Sequence, residues 1–230
     1  MKLLALDTSS VACSVALHLD ASVFERHEEQ AREHTRLLTP MIRGVLSEGR
    51  AELAELDAIV LGNGPGSFIG MRIAASVAQG LAYGAGLKIV PVSSLAAVAA
   101  QVFAETDAKA VIVAQDAHMN EVYLGAYRRG DANIPDPIFP ERLHGQMLID
   151  ELEAADVRGR TAAGFGWRRY PELVAVNEGL FDSCSEILHP RARYLFPLAA
   201  VALQNGEFVE PQEIIPAYLR QKVAEIPSRG

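Results

Sequence analysis

Three sets of residues have types and spacing that could do chemistry. The first is a glycine-rich turn, Gly62-Asn63-Gly64-Pro65-Gly66-Ser67-Phe68, which follows an apolar run and opens a helical one. Backbone N–H groups at such a turn could cradle an anion or a nucleotide phosphate, with Gly64, Gly66 and Ser67 as the contacts. It is not a Walker loop, because no lysine follows Gly66. It also fails as a dinucleotide fingerprint: Gly70 falls one residue late, and no acid lies between Asp57 and Glu105 to hold a ribose. A tight turn with Ser67 as helix N-cap is the plainer alternative. The second set is Asp7 and Asp116, each closing an apolar run. The two could share a Mg²⁺ ion if they faced one cleft, or each could cap its own turn.

The third set is the histidines and cysteines, and it argues against chemistry. His18, His27, His34, His118, His144 and His189 never fall three to five residues apart. Leu38 stands where a helical metal pair starting at His34 would put its second imidazole. No Gly-x-Ser-x-Gly elbow occurs, and neither Cys13 nor Cys184 stands beside a histidine. We therefore expect no metal site, no cofactor, no nucleophile–base pair and two reduced thiols.

The elements that must position these residues follow from periodicity. Lys2–Asp7 reads as a buried strand that delivers Asp7 to its end, and Val11–Leu19 alternates with period two as a half-buried strand. Ser22–Glu28 is a polar edge strand. Thr35–Glu48 is helical, with Leu37, Leu38, Met41, Ile42, Val45 and Leu46 in one stripe, and Pro40 should start or kink it. Asp57–Leu61 and Leu87–Pro91 are strands; Phe68–Tyr83 and Ser93–Phe103 are helices. In the Phe68–Tyr83 helix, Gly70, Ala74, Ala78 and Ala82 form a row of small residues flanked by Ile73, Val77 and Leu81. Such a row lets another element approach closely, either within the domain or from a second molecule. Ala110–Asp116, a turn over Ala117–Asn120, and Glu121–Tyr127 then repeat the opening hairpin about half the chain later. Asp131–Pro140, with three prolines, predicts a loop. His144–Ala155 and Arg191–Gln204 read as helices, and Pro216–Arg220 as an extended piece.

The chain of 230 residues suits one large domain or two small lobes. The repeated hairpin favours two lobes, 1–106 and 107–230, the last segment packing back on the first. With 21 basic and 29 acidic side chains the net charge is −8, which repels a phosphate backbone; RNA would have to be held by something else. The apolar opening is too short for a secretory signal or a membrane span, so a cytoplasmic location is expected.

Taken in order, several segments resemble the TsaB family, also called YeaZ. They are Leu4-Ala5-Leu6-Asp7-Thr8-Ser9-Ser10, His34 to Ile42, Gly64-Pro65-Gly66-Ser67-Phe68-Ile69-Gly70-Met71-Arg72, Asp116-Ala117-His118-Met119-Asn120-Glu121-Val122-Tyr123 and Tyr218-Leu219-Arg220. The resemblance touches the whole chain, and Gly-Pro-Gly-Ser-Phe is its most specific part. Ile69 departs from the threonine the family commonly has there, and losing that hydroxyl weakens any polar role for the loop; Met71 departs from the family's leucine or isoleucine, and neither change threatens the helix packing.

The resemblance implies an α/β actin-like ATPase fold, with two lobes each built on a mixed sheet flanked by helices. It implies a noncatalytic subunit needed to form threonylcarbamoyladenosine at position 37 of tRNA. Such a subunit binds the catalytic TsaD and, with it, the ATPase TsaE, and meets tRNA only through that complex. The implied contact is a helix bundle using Leu37, Leu38, Met41, Ile42 and Val45 with Ile73, Ala74, Val77, Ala78 and Leu81, and a homodimer could use the same surface. On that placement Ala78→Arg should abolish the complex. The alternative is a Mg-ATP-binding enzyme of the same fold, an ATPase or small-molecule kinase working through Asp7, Asp116 and the glycine turn. A peptidase ranks last.

Overall fold

The computed structural model describes residues 1–30, 32–145, 147–150 and 159–220. The first half runs β1 (Lys2–Asp7), β2 (Cys13–Leu19), β3 (Ser22–Glu28), α1 (His34–Gly49), β4 (Ala58–Gly62), α2 (Phe68–Ala85), β5 (Lys88–Val92) and α3 (Ser94–Glu105). The second half runs β6 (Ala110–Asp116), β7 (Val122–Arg129), β8 (Pro135–His144), β9 (Arg160–Ala163), α4 (Phe165–Arg169), α5 (Pro171–Val176), β10 (Ser183–Cys184) and α6 (Leu195–Gln204).

The strands form two five-stranded mixed sheets, ordered β3-β2-β1-β4-β5 and β10-β9-β6-β7-β8. In each, the hairpin pairs are antiparallel and the strands reached through crossovers are parallel. The topology of the first sheet is therefore repeated in the second, as the two opening hairpins suggest.

Burial explains the alternation along each strand. In the first sheet Leu4, Leu6, Val15, Leu17, Ile59 and Ile89 pack under α1 and α2, while Leu3, Ala5, Ala16, Val60 and Val90 pack under α6. In the second, Ile112, Ala114, Val122 and Leu124 meet α4 and α5, while Val111, Val113, Tyr123 and Tyr127 meet α3. Helices α3 and α6 thus fill the space between the two sheets. Strand β2 is accordingly buried on both faces over most of its length rather than on one.

Three further sequence readings change. Helix α1 begins at His34 and carries Pro40 inside it. Pro40 and Arg36 are solvent-exposed, so the Arg36 carbonyl left without an N–H partner can be hydrated. The proline-rich Asp131–Pro140 segment is a short turn followed by β8, which lies at the edge of its sheet, where missing ladder donors are tolerated. Its pairing with β7 shifts register between Leu124 and Tyr127. The helix expected over His144–Ala155 starts on a residue that ends β8, and its 151–155 portion lies outside the described residues.

Candidate functional site

The glycine turn is built against the chain itself. A methyl group at Gly66 would lie 2.2 Å from the Ser9 carbonyl oxygen, and one at Gly70 would lie 1.9 Å from that of Thr8. At Gly62 it would strike the Asp7 carboxylate at 2.0 Å. Hydrogen bonds close the same contact. Ser67 N–H donates to the Ser9 carbonyl (2.6 Å) and Ser94 N–H to that of Gly64 (2.8 Å). The Thr8 hydroxyl donates to the Gly70 carbonyl (2.7 Å), and Gly64 N–H to Ser94 Oγ (3.1 Å). Ser67 caps α2, its hydroxyl oxygen accepting from Gly70 N–H at 3.2 Å. The glycines therefore serve close approach of the Asp7–Ser10 turn, and several donors that an anion would use are already engaged.

Asp7 is buried, and both of its oxygens are occupied. Oδ1 accepts from Ser9 N–H (2.8 Å) and the Ser9 hydroxyl (2.7 Å), and Oδ2 accepts from the Ser94 hydroxyl (2.7 Å). Burial pushes its carboxyl up to about 6, against the pull of the Ser94 and Ser9 hydrogen bonds.

Asp116 occupies the corresponding position at the end of β6. Its Oδ1 accepts from His118 N–H (2.8 Å) and from the Tyr170 hydroxyl (2.7 Å). Asp116 lines two cavities between the lobes, and Asp7 lines neither. One, of about 340 Å³, is walled by Phe68, Ile69, Met71, Met119, Tyr123 and Tyr218; the other, of about 640 Å³, has Ser9, Ser10, Arg32, His34 and His189 in its wall. Among the described residues no group of three His, Cys, Asp or Glu side chains is arranged to hold a metal ion.

The two helices divide the ten proposed contact residues. Leu38, Met41, Ile42, Val45, Ala74 and Ala78 are buried in the core beneath α1 and α2. Leu37, Ile73, Val77 and Leu81 are only partly buried and border it. The row Gly70, Ala74, Ala78 and Ala82 faces inward, where its small size lets α2 sit close on the sheet. Gly80 and Gly84 were not anticipated. Both are exposed, and a Cβ at either would meet nothing within 4 Å. Their spacing from Ile73 and Val77, at 73, 77, 80 and 84, is helical and was readable in the sequence. Glycine costs a helix roughly 1 kcal/mol relative to alanine, and among the described residues none fills the room these two leave.

A family profile described as TsaD, tRNA N6-adenosine threonylcarbamoyltransferase, matches residues 25–152. The tRNA threonylcarbamoyladenosine biosynthesis protein TsaB of Escherichia coli K12 is 36% identical over 230 residues, covering 97% of this chain and 96% of that one. The protein of the same description from Haemophilus influenzae is 36% identical over 236 residues, covering 100% and 98%. Two solved structures from Pseudomonas aeruginosa, one described as YeaZ and one as an uncharacterized protein similar to peptidase YeaZ, superpose with TM-scores of 0.85. They are 35% and 36% identical, each covering 95% of this chain and 99% of its own.

Proposed function

The chain belongs to the TsaB (YeaZ) family of tRNA threonylcarbamoyladenosine biosynthesis proteins, and from that premise we propose that it acts as a noncatalytic subunit. It binds a TsaD-like catalytic subunit and, with it, a TsaE-like ATPase. The observation that carries this reading is the outer face of α2, where Ile73, Val77 and Leu81 are half exposed beside two unfilled glycines. Leu37 of α1 adds a further partly exposed apolar side chain. A partner helix seated there would bury apolar surface and use the close approach that Gly80 and Gly84 permit. The buried members of the ten-residue set support the contact by holding α1 and α2 in place. The same face would serve a homodimer when no partner is present.

With a net charge of −8, the subunit meets tRNA only through the complex. Among the described residues no helix is long and apolar enough to cross a membrane, and we place the protein in the cytoplasm. The Mg-ATP reading needs Asp7 to offer an oxygen to a metal, whereas both Asp7 oxygens already accept hydrogen bonds from Ser9 and Ser94. Titration of Mg-ATP into the isolated chain tests that alternative.

The test of the main reading is co-purification with the TsaD of the same cell, followed by sedimentation. A stable stoichiometric complex is expected. Two folded proteins that stay apart would remove the proposal and bring the ATP titration forward.

A further inference from the structure

From Ile215 to Arg220 the chain lies across the mouth of the cleft and touches both lobes. On the first lobe, Asn63 Nδ2 donates to the Ile215 carbonyl at 3.1 Å, and Ala217 N–H donates to that of Asn63 at 3.3 Å. Arg72 Nε donates to the Tyr218 hydroxyl at 2.8 Å, and the Tyr218 and Phe68 rings lie 5.3 Å apart under the Arg72 guanidinium. Asn63 precedes α2, and Phe68 and Arg72 form its first turns. On the second lobe, Leu219 enters the cluster beneath α3, and Arg220 pairs with Glu121 at 2.6 Å. Arg220 also donates to the Ala117 carbonyl at 2.9 Å and reaches Met119 Sδ at 3.4 Å.

The turn that Arg220 grips is strained. His118, Met119 and Asn120 all have positive φ, at 60°, 54° and 61°. Left-handed backbone costs a non-glycine residue roughly 1–2 kcal/mol, so three in succession persist only where the surroundings hold them. Within the turn, the Asp116 carboxylate accepts from His118 N–H and the His118 carbonyl from Glu121 N–H. Arg220 adds the clamp from outside and is mostly buried, with 16% of its side chain exposed.

We propose that residues 215–220 are an interlobe latch. Arg220 holds the left-handed 118–120 turn, Tyr218 and Asn63 hold the start of α2, and together they fix the spacing of the two across the 340 Å³ cavity. Phe68, Ile69 and Met71 on one wall and Met119 and Tyr123 on the other keep their separation only while the latch is docked. The inference concerns the isolated chain and does not depend on the partner reading.

Hydrogen–deuterium exchange on the full chain tests it. Arg220→Ala should raise exchange by about tenfold or more both in 117–123 and in 63–72, since hydrogen bonds to charged groups are lost. Amides of β1, β4 and β6 should be unchanged. Arg220→Lys, which keeps the charge near Glu121 but loses the guanidinium fork, should give a smaller rise at the same two places and covers the case in which the alanine variant does not fold. A rise confined to 117–123, a uniform rise over the whole chain, or no change would each overturn the latch.

Discussion

Asp7 sits where its charge is least welcome, with two serines answering for it. Its folded pKa of about 6 lies above the ordinary value of 3.8, so the folded chain holds an extra proton between those two values. The stability this residue contributes is fully present below pH ~4 and is lost as pH rises through 6, by roughly 3 kcal/mol in all. Asp7→Asn should flatten that dependence, which urea denaturation at pH 4.5, 5.5 and 7.5 would register; an unchanged slope would place its origin in other groups. Gly70 is held by sterics alone. Gly70→Ala drives a methyl into the Thr8 carbonyl and should destabilise the chain by about 1–3 kcal/mol in the same assay. The Ser67 cap was readable from its place before an apolar helix. The pairing of Asp7 with Ser94 was not, because the two are 87 positions apart and only the assembled first lobe brings them together.

Helix α2 shows how periodicity finds a helix and still leaves its orientation open. The small row at 70, 74, 78 and 82 and the mixed row at 73, 77, 80 and 84 are both regular, and either could have faced outward. Packing decides: the first row lies on the sheet, and the second is half exposed and open over its glycines. Two substitutions on this one helix therefore separate fold from contact. Ala78→Arg places a charge in a fully buried position, so the expected loss of the complex would follow from unfolding, and it does not test the interface. Gly80→Arg puts a Cβ where no described atom lies within 4 Å and removes a helix glycine, so the isolated chain should gain roughly 0.5–1 kcal/mol in a urea melt. The same variant should fail to co-purify with the TsaD-like partner. Undiminished capture by a folded Gly80→Arg chain would move the contact off this face. Strand β8 escaped the sequence reading for a different reason. Its prolines are a loop signal in isolation, and only its place at the sheet edge makes them compatible with a strand.

At the scale of the molecule, each sheet is completed by a helix supplied from the other half of the chain. Leu195, Phe196 and Ala199 of α6 cover Leu3, Ala5, Val60 and Val90, while Leu95, Val98, Val102 and Phe103 of α3 cover Val111, Val113 and Tyr127. The repeated hairpin made two lobes legible, but not this exchange, because a helical stripe says that a face is buried and not which sheet buries it. We place the lobe boundary near residue 106 as a topological division, not a line between independent folding units. Burying one large apolar side chain contributes roughly 1.5–3 kcal/mol, and a whole domain is stable by only about 5–15 kcal/mol. A 1–106 fragment, without Leu195 and Phe196 and with α3 bare, should therefore show no cooperative urea transition by circular dichroism and should bind a hydrophobic dye. The intact chain should unfold in one step. Trp167, the single tryptophan, is buried in the second lobe with its Nε1 donating to the Ile112 carbonyl, so its fluorescence follows that lobe, whereas circular dichroism averages both. Coincident transitions by the two probes are expected. A fragment that melts cooperatively, or two probes that separate, would mean that the helices between the sheets are shared in space without being shared in stability.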